Sequence, residues 1–494
     1  MFIKTIISVF GISVLVQIIG LLRQILIATY FGATRNLDVY FMTFAVVNLM
    51  VFTFAVIFDT VGIPHLIQCK EEQGEVKFKE LTGSIFTFAL VFSLFLGAVF
   101  LLVIPIVIKF MAAGFSAEDK AKVLALAYYF IPWILVYFPF LALCSFYKSI
   151  KSFNIVFFGE LLISIGSLIF LLGFHGDVKF IPLAYSVGYF MGFIILMTFS
   201  FKHFSHFGNI FNIRMRNFYK NFVQLFGANQ VTSIYMMIER FIQSFLPAGG
   251  ISILSYSGQI TNNLSGLLTF RDIFIVPLSV KEGRSERLER IVIGLVMISI
   301  PVMSYMYFFA GDIVMLGFKH GKFDEVAVGL LTTALSVYAL SLFPGVVAVP
   351  AFRIFQVIDK IKNTAIVNIF NILGLLSFSV ILVFILKLGV FGFACAYVIT
   401  SYLSMMLTFY LLYINAISFD YLRALKFLFF SLFVCLLSGV SMKSLIFPGM
   451  NVYLSLVIRS LGYFLVVVVC YLPLKGRLMQ IVGFLNTLKV GSYE

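Results

Sequence analysis

The chain has 494 residues, of which 62% are hydrophobic and 11% charged, whereas a soluble domain spends about a quarter of its residues on charge. That composition, with 61 Phe, 23 Tyr and one Trp, excludes a water-soluble fold. The formal net charge of +14, from 35 Lys and Arg against 21 Asp and Glu, would suggest a nucleic-acid partner in a soluble chain; here membrane topology accounts for it and no nucleic acid is expected.

Apolar runs reach the roughly 20 residues needed to cross a bilayer core again and again. The first, 6–30, follows Lys4 and continues to Tyr30 without a small-residue cleavage site, so it reads as a retained span and not a signal peptide. Others fall at 39–67, 82–111, 123–147, 154–174, 180–200, 221–246, 251–279, 291–316, 327–352, 363–386, 388–415, 424–442 and 452–474. Fourteen spans predict an all-α polytopic membrane protein. An even number puts both termini on one side. The N-terminal side, the even-numbered loops and the C-terminus hold 22 Lys and Arg, the opposite loops nine, and four lie within spans. Basic loops stay in the cytoplasm, so both termini are expected there. The longest loop, 201–220, is too short for a soluble domain, which weighs against membrane polymerases or ligases that work on a large outer loop.

Five cysteines (Cys69, Cys144, Cys395, Cys435, Cys470) stand far apart without CxxC spacing, and five histidines are equally scattered. No disulfide framework, no metal and no cofactor are expected.

Two six-span units resemble each other. Gly114-Phe115-Ser116-Ala117-Glu118-Asp119, then Phe138-Pro139 and Phe146-Tyr147-Lys148, parallels Gly321-Lys322-Phe323-Asp324-Glu325, then Phe343-Pro344 and Phe352-Arg353. Units of six spans insert in the same orientation, related by an axis along the membrane normal, and such halves enclose a central path. Spans thirteen and fourteen fall outside the repeat. The expected division is 1–216 and 217–420 for the two lobes, and 421–494 for two extra helices and a cytoplasmic tail.

Charges within spans normally face the protein interior or a wet cavity. Here they are Arg23, Asp59, Glu160, Glu239, Arg240, Arg271, Asp272 and Arg459. In one reading, Arg23 and Arg240 face each other across the cavity and hold an anionic head group, because a guanidinium donates two parallel hydrogen bonds to phosphate and keeps its charge. In the other, Arg23 snorkels to the interface and Arg240 pairs with Asp59 or Asp272. Uncharged polar residues thicken on the same helices, among them Gln17, Asn229, Gln230, Gln259, Asn262 and Asn263. Together they suggest a cavity for a large, polar, partly anionic solute, although such groups also join helices in membranes.

Gly20-Leu21-Leu22-Arg23, Phe31-Gly32-Ala33, Asp38 and Phe41 resemble the first-hairpin signature of the MviN/MurJ family, lipid II flippases of the multidrug/oligosaccharidyl-lipid/polysaccharide exporter superfamily. Gly114-Phe115, Ser244-Phe245-Leu246 with Gly249 and Tyr256, and His320-Gly321-Lys322-Phe323 extend the likeness. The resemblance implies two lobes around a central cavity, a groove for the lipid tail along spans thirteen and fourteen, and alternating access. It also implies that the chain moves an undecaprenyl-diphosphate-linked saccharide from the cytoplasmic to the periplasmic leaflet of a bacterial inner membrane, as a monomer, with lipid as its only other partner. Arg23 and Asp38 match the family's cavity arginine and first-loop aspartate. The family's other arginines fall on Gln17, Val51, Phe52 and Gln259 here. The cavity is therefore less cationic, and either the cargo is another lipid-linked glycan, as in Wzx-like O-antigen or capsule flippases, or Arg240 and Arg271 hold the phosphates. Substrate contacts are expected from Arg23, Asp38, Arg240, Gln17, Gln259, Asn262 and Arg271. A cation-coupled drug exporter would instead use Asp59 and Glu239.

Overall fold

The computed structural model describes residues 2–200, 207–269, 283–358, 360–415, 417, 420–445 and 451–472, with the backbone course alone at 2–10, 13, 53, 56, 227–230, 232, 356, 361 and 452. Sixteen α-helices and no strand occur among the described residues, because a helix satisfies its own backbone hydrogen bonds in lipid. Eleven helical stretches are long and apolar enough to cross a membrane. The expected second, seventh and eighth spans are the three beyond these eleven, and each includes residues outside the fully described set.

The chain forms two compact units. The first comprises Met1–Ser252 and His320–Phe323. It contains α1 (Phe2–Phe31), α2 (Arg35–Ile57), a π-helical turn (Phe58–Gly62), α3 (Ile63–Met111), α4 (Ala117–Tyr128), α5 (Ile131–Ser149), α6 (Phe153–Gly173), α7 (Phe180–Ser200), α8 (Met215–Gln243) and the start of α9 (Gly250–Leu268). Helices α6 and α7 form an antiparallel pair, with α1 against α6; α5 packs on α3 and α7, and α2 on α4 and α8. The α6–α7 contact depends on small residues: a Cβ at Gly188 would stand 2.5 Å from the Ile163 carbonyl oxygen. The centre of the unit is aromatic. Phe58, Phe88, Phe92, Phe138, Phe218 and Phe222 meet with ring centroids 5.1–6.5 Å apart, mostly edge to face, the arrangement that ring quadrupoles favour.

The polar stretch 68–81, expected as a loop between spans two and three, is helical instead. It belongs to α3, which bends at Gly74, where φ is +82° and ψ 179°, a conformation essentially confined to glycine. Arg214 clamps the bend from outside: its Nε donates to Gln73 Oε1 at 2.7 Å and its Nη1 to Glu80 Oε2 at 3.1 Å. Side chains on both sides of the bend thus share one guanidinium.

The second unit comprises Ile253–Lys319 and Asp324–Glu494. Its helices are the rest of α9, then α10 (Arg284–Phe318), α11 (Glu325–Ala339), α12 (Leu342–Val357), α13 (Ile361–Ser379), α14 (Gly389–Ile414), α15 (Tyr421–Ser444) and α16 (Val452–Tyr471). Helix α10 is its axis and carries α11, α12, α15 and α16. The last of these is tied down by Tyr463, whose hydroxyl donates to the Pro301 carbonyl at 2.9 Å.

The expected fourth and tenth spans are each two helices. Helices α4 and α5 are separated at Tyr129–Phe130, and α11 and α12 at Leu340–Ser341. Matching caps open both pairs: Ser116 Oγ accepts from the Asp119 N–H at 3.1 Å, and Asp324 Oδ1 from the Ala327 N–H at 2.8 Å. Pro132 and Pro344 stand just past the two breaks, with Pro139 and Pro350 farther along. Pro132 and Pro344 are the prolines nearest the breaks, while Pro139 and Pro344 keep the same nine-residue spacing to Lys148 and Arg353.

Candidate functional site

Helix α1 is apolar on nearly every face, and Arg23 interrupts it. The side chain turns into the first unit, where Nη1 donates to Ser167 Oγ on α6 at 2.9 Å and the guanidinium carbon lies 4.4 Å from the centroid of Tyr185 on α7. Tyr185 belongs to an aromatic group with Phe44 and Trp133, at centroid distances of 5.4 and 6.4 Å. A weakly hydrated planar cation over an aromatic face is stabilised away from bulk water. The arrangement does not exhaust the arginine. Its Nε is buried without a hydrogen-bond partner among the described residues, as are the side-chain oxygens of Gln17 and Gln24 on the same helix. A buried, unpaired donor costs about 1–3 kcal/mol, so an acceptor that reaches it is favoured.

Asp38 lies in the first turn of α2 and is fully buried. Its Oδ2 accepts from the Gly249 N–H at 2.7 Å, and its Oδ1 from the N–H and hydroxyl of Ser252 at 2.8 and 2.7 Å. These are the N-terminal groups of α9, where a carboxylate is favoured by the helix dipole as well. The carboxylate expected to touch substrate is thus placed as an anchor that ties the α1–α2 corner to the α8–α9 corner. Beside it, Arg35 Nε donates to Asp119 Oδ2 at 3.0 Å, with the guanidinium 4.0 Å from the Phe115 ring. Partial burial would raise the Asp119 carboxyl, but the bond from Arg35, with the Ser116 hydroxyl, outweighs it and holds the group below the usual aspartate value. The segment His320–Phe323 completes this end of the unit. The Lys322 N–H donates to the Thr29 carbonyl at 2.9 Å, and Gly321, at φ +59°, comes so close that a Cβ would lie 2.3 Å from that same oxygen.

Arg240, expected opposite Arg23 or paired with Asp59 or Asp272, has a partner on its own helix: its Nη1 donates to Gln243 Oε1 at 2.7 Å, while Gln243 Nε2 donates to Glu239 Oε1 at 3.1 Å. One amide bridges two charges that point apart on the helix. Asp59, within the π-helical turn, takes Lys148 and Ser145 of α5 as partners. Sequence reading missed Lys148 because it follows an apolar run and looks like a loop residue. The signal was the need of an acid within a span for a base. Arg459 on α16 reaches Asp312 on α10 at 3.5 Å. Gln259 is half-buried and Asn262 exposed on α9, in the second unit, whereas Gln17, Arg23, Asp38 and Arg240 belong to the first. Arg271 and Asp272 lie outside the described residues, and the side chains of Asn229 and Gln230 likewise. No group of three or more His, Cys, Asp or Glu suited to a metal gathers among the described residues.

The profile of the family described as "Lipid II flippase MurJ" matches residues 27–461. Similar proteins include a probable lipid II flippase MurJ of Buchnera aphidicola subsp. Acyrthosiphon pisum, 25% identical over 428 residues that cover 82% of each chain. Another is a probable lipid II flippase MurJ of Aquifex aeolicus, 23% identical over 416 residues, covering 79% of this chain and 80% of that one. Among solved structures, a lipid II flippase MurJ in an inward closed conformation superposes with a TM-score of 0.78 at 21% identity, covering 94% of this chain and 99% of the other. An inward-facing multidrug resistance MATE transporter gives 0.67 at 16% identity, covering 83% and 98%. These two likenesses establish the fold, and the profile, which takes in well over half of the sequence, establishes the kinship: this multi-pass membrane protein belongs to the MurJ family.

Proposed function

We propose that the chain is a lipid II flippase, which moves the undecaprenyl-diphosphate-linked peptidoglycan precursor from the cytoplasmic to the periplasmic leaflet of a bacterial inner membrane. The match to the flippase family across residues 27–461 carries this reading. No bond is made or broken, so what the protein must supply is shelter for a charged, sugar-bearing head group in oil. Arg23 fits that need: it is a permanent cation inside the helical bundle with a donor still unpaired. In this reading Arg23 meets the diphosphate, and Gln17, Arg240, Gln259, Asn262 and Arg271 contribute polar contacts to the rest of the path. Asp38 holds the corner of the first hairpin.

The residue ranges 1–216 and 217–420 act as two lobes that rock about the path, 421–494 guides the lipid tail, and the protein works as a monomer with both termini in the cytoplasm. An anionic head group moving outward is favoured by an inside-negative potential, by about 2.3 kcal/mol per charge per 100 mV. The test is depletion in the native cell followed by analysis of the lipid-linked saccharide that accumulates on the inner leaflet. Peptidoglycan precursor is expected; a longer repeat unit would transfer the reading to a surface polysaccharide. Arg23→Ala should reach the membrane yet fail to rescue the depleted strain, and full rescue would remove Arg23 from the mechanism.

A further inference from the structure

At the foot of α2, the π-helical turn Phe58–Gly62 leads into α3. Such a turn inserts one residue into the helical ladder and re-aims the side chains around it, and it recurs at functional sites. The N-terminal half of α8 stands opposite. Between them lies an open cavity of about 300 Å³, at the lower end of the range for small-ligand sites, roughly 300–1,000 Å³. Thr60, His65 and Gln68 line one side, Asn221 and Gln224 the other, and Leu225 supplies an apolar edge. No Asp, Glu, Lys or Arg lines it.

Two of these polar groups are committed to the fold. His65 Nε2 donates to the Arg214 carbonyl at 2.9 Å, and Gln68 Nε2 to Glu72 Oε1 at 2.8 Å. The amides of Asn221 and Gln224 are exposed and take no hydrogen bond among the described residues. A primary amide offers a donor and an acceptor side by side. That pair complements the N–H and C=O of a secondary amide, and it also meets sugar hydroxyls. A lining without charge gives no advantage to a phosphate.

We propose that this cavity is a subsite for the neutral, N-acetylated sugar of the cargo, separate from the guanidinium of Arg23. The proposal rests on the flippase reading and divides the work: the diphosphate is held by charge, the saccharide by two free amides and the His65-braced wall. It predicts a preference for a glycan-bearing lipid over bare polyprenyl diphosphate.

The test uses the full-length protein in lipid nanodiscs and two probes: undecaprenyl diphosphate, and the same lipid carrying the N-acetylated disaccharide without its stem peptide. The unaltered protein should bind the disaccharide lipid more tightly. The double variant Asn221→Leu/Gln224→Leu should weaken the disaccharide lipid about tenfold, which corresponds to about 1.4 kcal/mol, and leave undecaprenyl diphosphate unchanged. Gln224→Leu alone, a milder change at an exposed position, should give about threefold, as expected for losing one ordinary hydrogen bond. Unaltered binding of both lipids by the variants would overturn the proposal while leaving the flippase reading intact, and so would equal weakening of both. If the unaltered protein binds neither probe, the flippase reading itself falls.

Discussion

Lys148 and Asp59 form an ion pair between α5 and the π-helical turn. The two are half-exposed, with 22% and 39% of their side chains accessible, so the pair contributes less than a fully buried one, but removing one partner strands the other near lipid. Asp59→Asn should destabilise by about 1–3 kcal/mol, read as thermal unfolding in detergent, and the double variant Asp59→Asn/Lys148→Met should recover most of the loss. An additive double variant would show that the two side chains do not support each other. Asp119 gives a pH dependence with a definite sign. Its carboxyl is held below the ordinary aspartate value when folded, so the unfolded chain takes up its proton first as pH falls. The contribution of the Arg35 bond is present above the ordinary value near 4 and fades below it. Asp119→Asn should therefore be less stable than the parent by about 0.5–1 kcal/mol at pH 7, with the difference closing as pH falls below the ordinary aspartate value; a gap that persists in acid would assign the effect to shape instead of charge.

These side-chain facts were unevenly legible. Arg23 stood out because a cation interrupts an apolar run, and family likeness singled out Asp38. The Asp59–Lys148 pair joins positions 89 residues apart, and the Arg214–Gln73 bond joins positions 141 apart. Nothing local marks either. Asp38 was expected as a substrate contact through the family resemblance; that Gly249 and Ser252 donate to its oxygens depends on tertiary folding alone.

Among the elements, the corners decide more than the spans. Gly321 adopts a left-handed conformation and leaves no room for a side chain beside Thr29. Gly329, within α11, has nothing within 4 Å of its would-be Cβ. Gly321→Ala should destabilise the protein and impair rescue of a depleted strain, since the substitution adds backbone strain of about 1–2 kcal/mol and forces the corner apart. Gly329→Ala should stabilise α11 by up to about 1 kcal/mol with rescue intact. Equal behaviour of the two would mean that the Thr29 approach is dispensable. Helix existence was readable from hydropathy almost throughout, but helix boundaries were not. The breaks at Tyr129–Phe130 and Leu340–Ser341 fall inside apolar runs that look continuous, and the bend at Gly74 sits in a polar run that looks like a loop, because polarity reports contact with water and not backbone path.

For the whole molecule, the asymmetry of basic residues is the governing quantity. In a variant with its five native cysteines replaced, Lys387→Cys should react with a membrane-impermeant maleimide in intact cells, whereas Arg290→Cys should react only after permeabilisation. Both positions are exposed. The reverse pattern would invert the proposed orientation and with it the direction of transport. Fold class followed from composition and from the spacing of apolar runs. The candidate polar contacts were less legible, since uncharged residues such as Gln17 and Gln259 are equally suited to joining helices.

The guanidinium of Arg214 makes one latch serve two joints. It grips side chains on both flanks of the α3 bend, and its own carbonyl braces His65, while it stands immediately before the first residue of α8. A tilt of α8 would carry Arg214 with it, and so would either pull on both flanks of the α3 bend or break these bonds.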